Sequence, residues 1–191
     1  MSGIKIDALR IAYGDNTVIE NFSYDFAPGS FTAIIAPSGF GKTSLINAIM
    51  GFTPYEGSIS FGEPPVISAV FQEDRLCEGI TALRNVTLTA ARFYSGQEIL
   101  DAFEAVGLDG VAGRRACLLS GGMKRRTAIL RALFAEHNLL LLDEPFKGLD
   151  ADTKANTMAY VKEKTSSDTV IMITHDIGEA VFFGADVLKL G

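Results

Sequence analysis

The segment from Ala36 to Ser44 contains residue types and a spacing that could bind an anion. It reads Ala36, Pro37, Ser38, Gly39, Phe40, Gly41, Lys42, Thr43 and Ser44. Its glycines allow backbone N–H groups to curl around phosphates without an obstructing Cβ atom, and its lysine adds a point charge. The threonine hydroxyl suits Mg²⁺, which prefers oxygen ligands. The segment matches the phosphate-binding loop pattern, with Ala36 in place of the first glycine, where an alanine fits if its φ is negative.

Two acidic residues, Asp143 and Glu144, directly follow the apolar run 139–142. A continuous apolar run is typical of a buried strand in a parallel sheet, and its end would lie beside the phosphate-binding loop. There Asp143 could help to hold Mg²⁺, and Glu144 could polarise an attacking water. Taken alone, an acidic strand end is equally well explained as a solvated surface.

The elements that must position these residues follow from hydrophobic periodicity. Residues 4–13 and 17–26 alternate apolar and polar positions around a Gly-Asp-Asn turn, which predicts a β-hairpin. A helical period is expected from Ile80 to about Val106. Further strands are predicted at 31–35, 58–61, 66–71, 139–142 and 169–173, and further helices at 43–50, 122–136, 152–164 and 177–183. Strands that alternate with helices predict an α/β fold with a mainly parallel sheet covered on both faces.

A third segment reads Leu119-Ser120-Gly121-Gly122-Met123, and Ser120 lies 23 residues before Asp143. In this order, the three segments resemble the ATP-binding cassette (ABC) family, whose signature is Leu-Ser-Gly-Gly and whose Walker B strand ends in two acids. The resemblance extends from Tyr13 to His175. It implies a single domain over residues 1–191, with a P-loop NTPase core, an N-terminal antiparallel β lobe and a helical lobe over about 73–118. It also implies ATP as the substrate and Mg²⁺ as the cofactor.

Four further residues match the family's motifs one at a time. Gln72 matches the Q-loop glutamine, which contacts Mg²⁺ or water, and His175 matches the switch histidine, which can reach the γ-phosphate. Asp150 matches the D-loop. Tyr13 matches the aromatic residue that stacks on adenine, although a tyrosine in a hairpin can also be a core residue. The resemblance thus implies that Glu144, His175 and Gln72 are catalytic.

The resemblance also implies partners. In the family, Ser120, Gly121, Gly122 and Met123 would act in trans, by meeting the γ-phosphate held by a second cassette, here expected in a homodimer. Met123 departs from the usual glutamine of the signature. A transmembrane permease would be the next partner, and a solute-binding protein could take part through it. The run Phe71 to Leu76 is similar to importer cassettes of the nitrate, sulfonate and taurine group.

Composition limits the alternatives. The net charge of −6 and the pI of about 4.9 argue against a nucleic-acid partner. The first residues lack the apolar core of a signal peptide, and no apolar run is long enough to cross a bilayer. A cytoplasmic protein that reaches the membrane through its permease is therefore expected. The basic residues 124–126 are predicted to be solvated or to form structural ion pairs.

Two other functions remain open at this point. One is an ABC ATPase that works without a permease, in DNA repair or translation; the acidic charge and the single cassette argue against it. The other is a non-catalytic module that holds ATP as a regulatory ligand. The presence of both Glu144 and His175 argues against that module, whereas the departures at Ala36 and Met123 leave it open.

Overall fold

The computed structural model describes residues 3–36 and 41–190. Pro37, Ser38, Gly39 and Phe40 of the predicted phosphate-binding loop lie outside these residues. The chain divides into two compact units, the first formed by residues 1–67, 138–143 and 167–191 and the second by 68–137 and 144–166. The assignment of 1–191 to one domain with a helical lobe at 73–118 stays a prediction.

The described elements alternate between strands and helices for most of the chain. In order they are β1 (Ile4–Tyr13), β2 (Asn16–Phe26), β3 (Phe31–Ile35), α1 (Lys42–Ile49), β4 (Glu56–Phe61), β5 (Ile67–Val70), α2 (Ala82–Thr87), α3 (Gly96–Ala105), a 3-10 helix (Ala116–Leu118), α4 (Gly121–Phe134), β6 (Leu139–Asp143), α5 (Ala151–Lys164), β7 (Thr169–Ile173), α6 (Ile177–Phe183) and β8 (Asp186–Lys189). No helix within the described ranges is long and apolar enough to cross a membrane.

The first sheet is antiparallel, with strand order β2-β1-β4. Ile4 of β1 lies opposite Phe26 of β2 and Phe61 of β4. The inward residues Ile4, Ile6, Leu9 and Ile11 of β1 are buried, and the register shifts near Ala8, whose φ is 48°. Gly57 faces this bulge, and a Cβ atom at this position would lie 2.4 Å from the Ala8 carbonyl oxygen. Only glycine therefore allows β4 to pair so closely with β1 here.

The second sheet has the strand order β5-β6-β7-β3-β8, and the pairs β6–β7, β7–β3 and β3–β8 are parallel. All residues of β6 and β7 are buried, as their continuous apolar sequences predict. This sheet and the antiparallel one confirm the predicted α/β P-loop class. Because parallel strands end at the same edge, β3, β6 and β7 all end at one side of the first unit.

The second unit is mostly helical, and it corrects one prediction. The helical period expected from Ile80 to Val106 is broken between α2 and α3. Ser95 begins a new helix there through a capping box with Glu98, in which each side chain bonds the other residue's backbone N–H. The linker is fixed by backbone pairing, since Ala91 N–H donates to the Phe134 carbonyl at 2.8 Å.

The remaining boundaries differ from the predicted ones by at most two residues, but the short 3-10 helix at Ala116–Leu118 and the strand β8 were not predicted. The residues of β8 are mostly exposed, so they lack the apolar run by which β6 and β7 could be recognised. Pairing with β3, from Thr32 opposite Asp186 to Ile35 opposite Lys189, defines this strand instead.

Candidate nucleotide-binding site

Three sequence motifs of the first unit converge at the carboxyl edge of the parallel sheet. Asp143, the last residue of β6, lies opposite Ile173 of β7, and Ile173 lies opposite Ile34 of β3. Beyond these pairs, Thr174 N–H donates to the Ile34 carbonyl at 3.2 Å. The register therefore brings Asp143, the residues before His175 and the start of the phosphate-binding loop together.

The described end of the phosphate-binding loop requires glycine at position 41. Gly41 caps the N-terminus of α1 with a φ of 73°. A Cβ atom there would lie 2.8 Å from Ile19 Cγ1 and 2.9 Å from the Val18 carbonyl oxygen. Both the left-handed backbone and the lack of space exclude a side chain. The loop therefore turns into α1 close against β2.

The Lys42 side chain reaches back to Ala36. Its Nζ atom donates to the Ala36 carbonyl oxygen at 2.5 Å. Ala36 is buried, and it is not among the non-glycine residues for which a positive φ is found in the described ranges. The backbone at position 36 therefore accepts an alanine, as the sequence analysis required. The ammonium group lies where it could meet phosphate oxygens bound by the loop.

Thr43 and Asp143 bring two oxygen ligands together. Thr43 Oγ1 donates to Asp143 Oδ2 at 2.9 Å, and Asp143 is only 3% exposed. A hydroxyl and one carboxylate fit Mg²⁺, which is commonly held by one or two protein groups together with waters and substrate phosphates. No group of three or more His, Cys, Asp or Glu side chains able to hold a metal occurs in the described ranges. This pair therefore suits a cation that arrives with a phosphate ligand.

Tyr13, at the end of β1, has a ring that is 50% exposed, so it is not a core residue. Its hydroxyl donates to Ser44 Oγ at 3.1 Å, which anchors the ring to the first turn of α1. Hydrogen bonding to Ser44 and Thr53 lowers the pKa of Tyr13. An exposed ring fixed beside the phosphate-binding loop is suitably placed to stack on a flat base.

We expect Tyr13→Ala to weaken ATP binding by about tenfold, because stacking of a base on an aromatic ring contributes ~1–3 kcal/mol. Tyr13→Trp should be tolerated, and Tyr13→Phe should lose only the anchor to Ser44. Calorimetry with Mg²⁺ present measures these affinities. Tyr24→Ala, which removes a ring packed on Phe26 in the same hairpin, controls for loss of folding. If the Tyr13→Ala and Tyr24→Ala proteins bind ATP with equal affinity, the adenine base does not stack on Tyr13.

His175 is exposed in the turn between β7 and α6, and its neighbours are firmly held. The buried Thr174 hydroxyl donates to Glu179 Oε2 at 2.6 Å and accepts from Asp176 N–H at 3.0 Å. The Asp176 carboxylate then accepts from Gly178 N–H at the start of α6. Sequence reasoning missed Thr174 and Glu179 as supports of this turn. The backbone of this turn is thus fixed on both sides of the exposed His175.

In the second unit, Glu144 has a strained backbone. Its φ is 46°, a conformation that costs a non-glycine residue roughly 1–3 kcal/mol. Its carbonyl accepts from Lys147 N–H at 3.2 Å, and its Oε2 atom lies 2.8 Å from Lys147 Nζ. Lys147 is half-exposed, whereas Glu144 is mostly buried. The carboxylate is therefore oriented toward Lys147.

The signature segment forms the N-terminus of α4. Ser120 caps this helix by accepting a hydrogen bond from Met123 N–H at 3.3 Å. Gly121 is exposed, and no atom lies within 4 Å of the position that its Cβ would take. The first turn carries no acidic residue, so the positive end of the helix dipole is not neutralised locally. Met123 packs against the apolar core of the unit, which explains why a methionine suits this position.

A cleft of about 280 Å³ in the second unit brings Gln72 and the signature glycines together; it is lined by Gln72, Asp74, Gly121, Gly122, Arg125, Lys147 and Gly148. The residues Asp74, Arg125 and Lys147 were not recognised as site residues from the sequence. Residues 124–126 were predicted to be solvated or to form structural ion pairs, and Arg125 and Arg126 are buried rather than solvated. The predicted structural ion pair is present between Arg125 and Asp74.

Asp150, the D-loop residue, caps the N-terminus of α5 by accepting from Thr153 N–H at 3.0 Å. This hydrogen bonding lowers the pKa of Asp150, although the side chain is exposed. A local role as a helix cap is therefore established for this residue. Its role toward a second subunit stays a prediction.

Comparison with known proteins identifies the family. Residues 19–147 match the family model described as ABC transporter. The chain is 35% identical over 195 residues to the aliphatic sulfonates import ATP-binding protein SsuB 2 of Burkholderia cenocepacia, covering 95% of this chain and 72% of that protein. It is 37% identical over 186 residues to SsuB of Bacillus subtilis, covering 92% and 73%.

A solved structure agrees with these sequence matches. The dimeric, post-hydrolysis state of the ATP-binding cassette MJ0796 with ADP and Pi superposes with a TM-score of 0.85 at 27% identity, covering 98% of this chain and 94% of that one. The predicted resemblance to the nitrate, sulfonate and taurine importer group is confirmed by the import proteins among the relatives. The chain therefore belongs to the ABC transporter family, as one of its ATP-hydrolysing subunits.

Proposed function

We propose that this chain hydrolyses ATP within a two-cassette assembly that energises a membrane importer. The observation that carries the hydrolytic part is the Thr43–Asp143 pair at the sheet edge, together with Lys42, which donates to the Ala36 carbonyl. Lys42 would bind the β- and γ-phosphates. Thr43 and Asp143 would hold Mg²⁺, which supplies charge neutralisation for those phosphates.

Each remaining residue has a distinct proposed role in hydrolysis. Glu144, which follows Asp143 in the chain, would polarise the attacking water as the general base. Gln72 would contact that water or the Mg²⁺ ion. His175 would donate to a γ-phosphate oxygen. The strained φ of Glu144 supports this assignment, since such conformations cluster at functional sites.

The signature helix supports a second cassette as the partner. Ser120, Gly121 and Gly122 present backbone N–H groups at the positive end of a 14-residue helix without an acidic residue in its first turn. Such an end binds anions such as phosphate. In the proposed homodimer, each signature would meet the γ-phosphate held by the opposite chain, with Met123 and Asp150 contributing at the same interface. ATP would thereby hold the two chains together.

The importer assignment is supported by the relatives, which are named import ATP-binding proteins. The proposed partner in transport is a transmembrane permease, which this chain would bind from the cytoplasmic face. A solute-binding protein would take part only through that permease. The permease rather than this chain would select the solute.

Membrane association tests this assignment. In membranes of the native host, the tagged chain is expected to sediment with the membrane fraction and, after mild detergent extraction, to co-purify with a multi-spanning protein. Reconstituted with that protein in liposomes, it should hydrolyse ATP faster when solute and any solute-binding protein are present. A chain that remains in the supernatant with undiminished ATPase activity would instead be a cassette ATPase that works without a permease.

A further inference from the structure

Arg125 of α4 holds the backbone of the segment that carries Gln72. Its Nη1 atom donates to the Phe71 carbonyl at 2.6 Å, and its Nη2 atom donates to the Gln72 carbonyl at 2.9 Å. The same guanidinium lies 3.2 Å from Asp74 Oδ1. Arg125 is only 5% exposed, so these contacts are shielded from water. Charge-assisted bonds in such surroundings are among the stronger ones in proteins.

Arg131 holds the rest of the segment from the same helix. It donates to the Arg75 carbonyl at 2.7 Å and to the Asp74 carbonyl at 2.9 Å. Arg75 has a φ of 47°, and its guanidinium lies 4.0 Å from the centre of the Phe71 ring. Two arginines of α4 therefore hold the carbonyls of residues 71, 72, 74 and 75. Of these two arginines, Arg125 is the one that bonds the Gln72 carbonyl.

We propose that Arg125 is a positioning residue that fixes Gln72 to the helix whose N-terminus is the signature. The exposed Gln72 side chain lines the same cleft as Gly121 and Gly122. Since α4 connects those glycines rigidly to Arg125, a displacement of the signature is transmitted to the backbone of Gln72. This inference rests on the catalytic role proposed for Gln72.

The planar guanidinium is essential to this role. Its fork of N–H donors bonds two successive carbonyls and a carboxylate at once, which a single ammonium group cannot match. Arg125→Lys keeps the charge opposite Asp74 but loses this geometry. Arg131→Lys makes the same change at the carbonyls of residues 74 and 75, where Gln72 is not held directly. Comparing Arg125→Lys with Arg131→Lys therefore tests whether the bond to the Gln72 carbonyl matters for catalysis.

In the full chain, Arg125→Lys is expected to lower kcat for ATP at least tenfold, because small displacements of a catalytic group can cost up to about 100-fold. ATP affinity measured by calorimetry should stay within about twofold of the parent, since Lys42 and Thr43, the proposed ligands of the phosphates and of Mg²⁺ within the same chain, belong to the first unit. Arg131→Lys should have a smaller effect on kcat. Hydrogen exchange of residues 71–75 should increase in Arg125→Lys, and this readout does not depend on turnover.

A double-mutant cycle with Gln72→Ala separates positioning from general stability. The Arg125→Lys/Gln72→Ala protein should be no slower than Gln72→Ala, because the two changes remove the same contribution. Additive losses, or unchanged exchange at 71–75 in Arg125→Lys, would overturn the inference. If Gln72→Ala alone retains the parent kcat, the catalytic role proposed for Gln72 fails instead, whatever the exchange shows.

Discussion

Replacing Glu144 by glutamine is expected to reduce ATP turnover by about 10²–10⁴-fold, which is the contribution usual for a general base. The amide keeps the size and shape of the side chain but cannot take a proton from water. ATP binding should be retained, because Lys42 and the phosphate-binding loop, and not Glu144, are the proposed ligands of the phosphates. Steady-state hydrolysis and calorimetry of the same preparation measure the two effects.

Two control variants show whether a loss of turnover is specific to the Glu144 carboxylate. Glu163→Gln makes the same change at an exposed position on α5 and should hydrolyse ATP like the parent. Lys147→Met removes the ion pair with Glu144 but not the carboxylate, so we expect the rate to change by about fivefold or less. A Glu144→Gln protein with near-parental turnover would exclude Glu144 as the base.

The elements that hold the site could be predicted where local patterns were strong. The buried strands β6 and β7 are continuous apolar runs, and both were recognised. The exposed strand β8 was not, because its place depends on pairing with β3 rather than on its own residues. The break between α2 and α3 was also missed, since Ser95 is a single capping signal within a longer helical period.

Contacts within the site could be predicted less well than the residues that form it. The motif spacing indicated Lys42, Thr43 and Asp143, and parallel pairing explains why they meet. No local pattern distinguishes the buried Arg125 from an exposed lysine or arginine on a helix. Its partners are backbone carbonyls more than 50 residues away in sequence, and such contacts depend on tertiary packing. The same is true of the Thr174–Glu179 support behind His175.

In the proposed homodimer, we also expect each active site to be shared by two chains. Lys42→Ala should weaken ATP binding by about 10–100-fold, because charge-assisted bonds contribute ~1.5–3 kcal/mol. Ser120→Arg places a bulky cation at the N-terminus of α4, where the proposed γ-phosphate of the partner would lie. As a homodimer, each variant has both sites damaged and should be inactive.

A mixed dimer differs from both parents. One of its sites combines the two lesions, whereas the other pairs the intact phosphate-binding loop of the Ser120→Arg chain with the intact signature of the Lys42→Ala chain. At equal concentrations, random pairing should restore about one quarter of the parental number of sites. ATP-dependent dimerisation of the parent, followed by light scattering, has to be demonstrated first.

The decisive measurement is therefore ATP-dependent dimerisation and hydrolysis after the two inactive variants are mixed. Distinct tags identify the mixed dimers, and a Glu144→Gln background slows hydrolysis enough to trap bound ATP. In the Glu144→Gln background, we expect mixed dimers to trap ATP. In mixed dimers that retain Glu144, we expect ATP turnover to recover. Mixed dimers that form but neither trap nor hydrolyse ATP, at any ratio of the two chains, would contradict a site shared through Ser120.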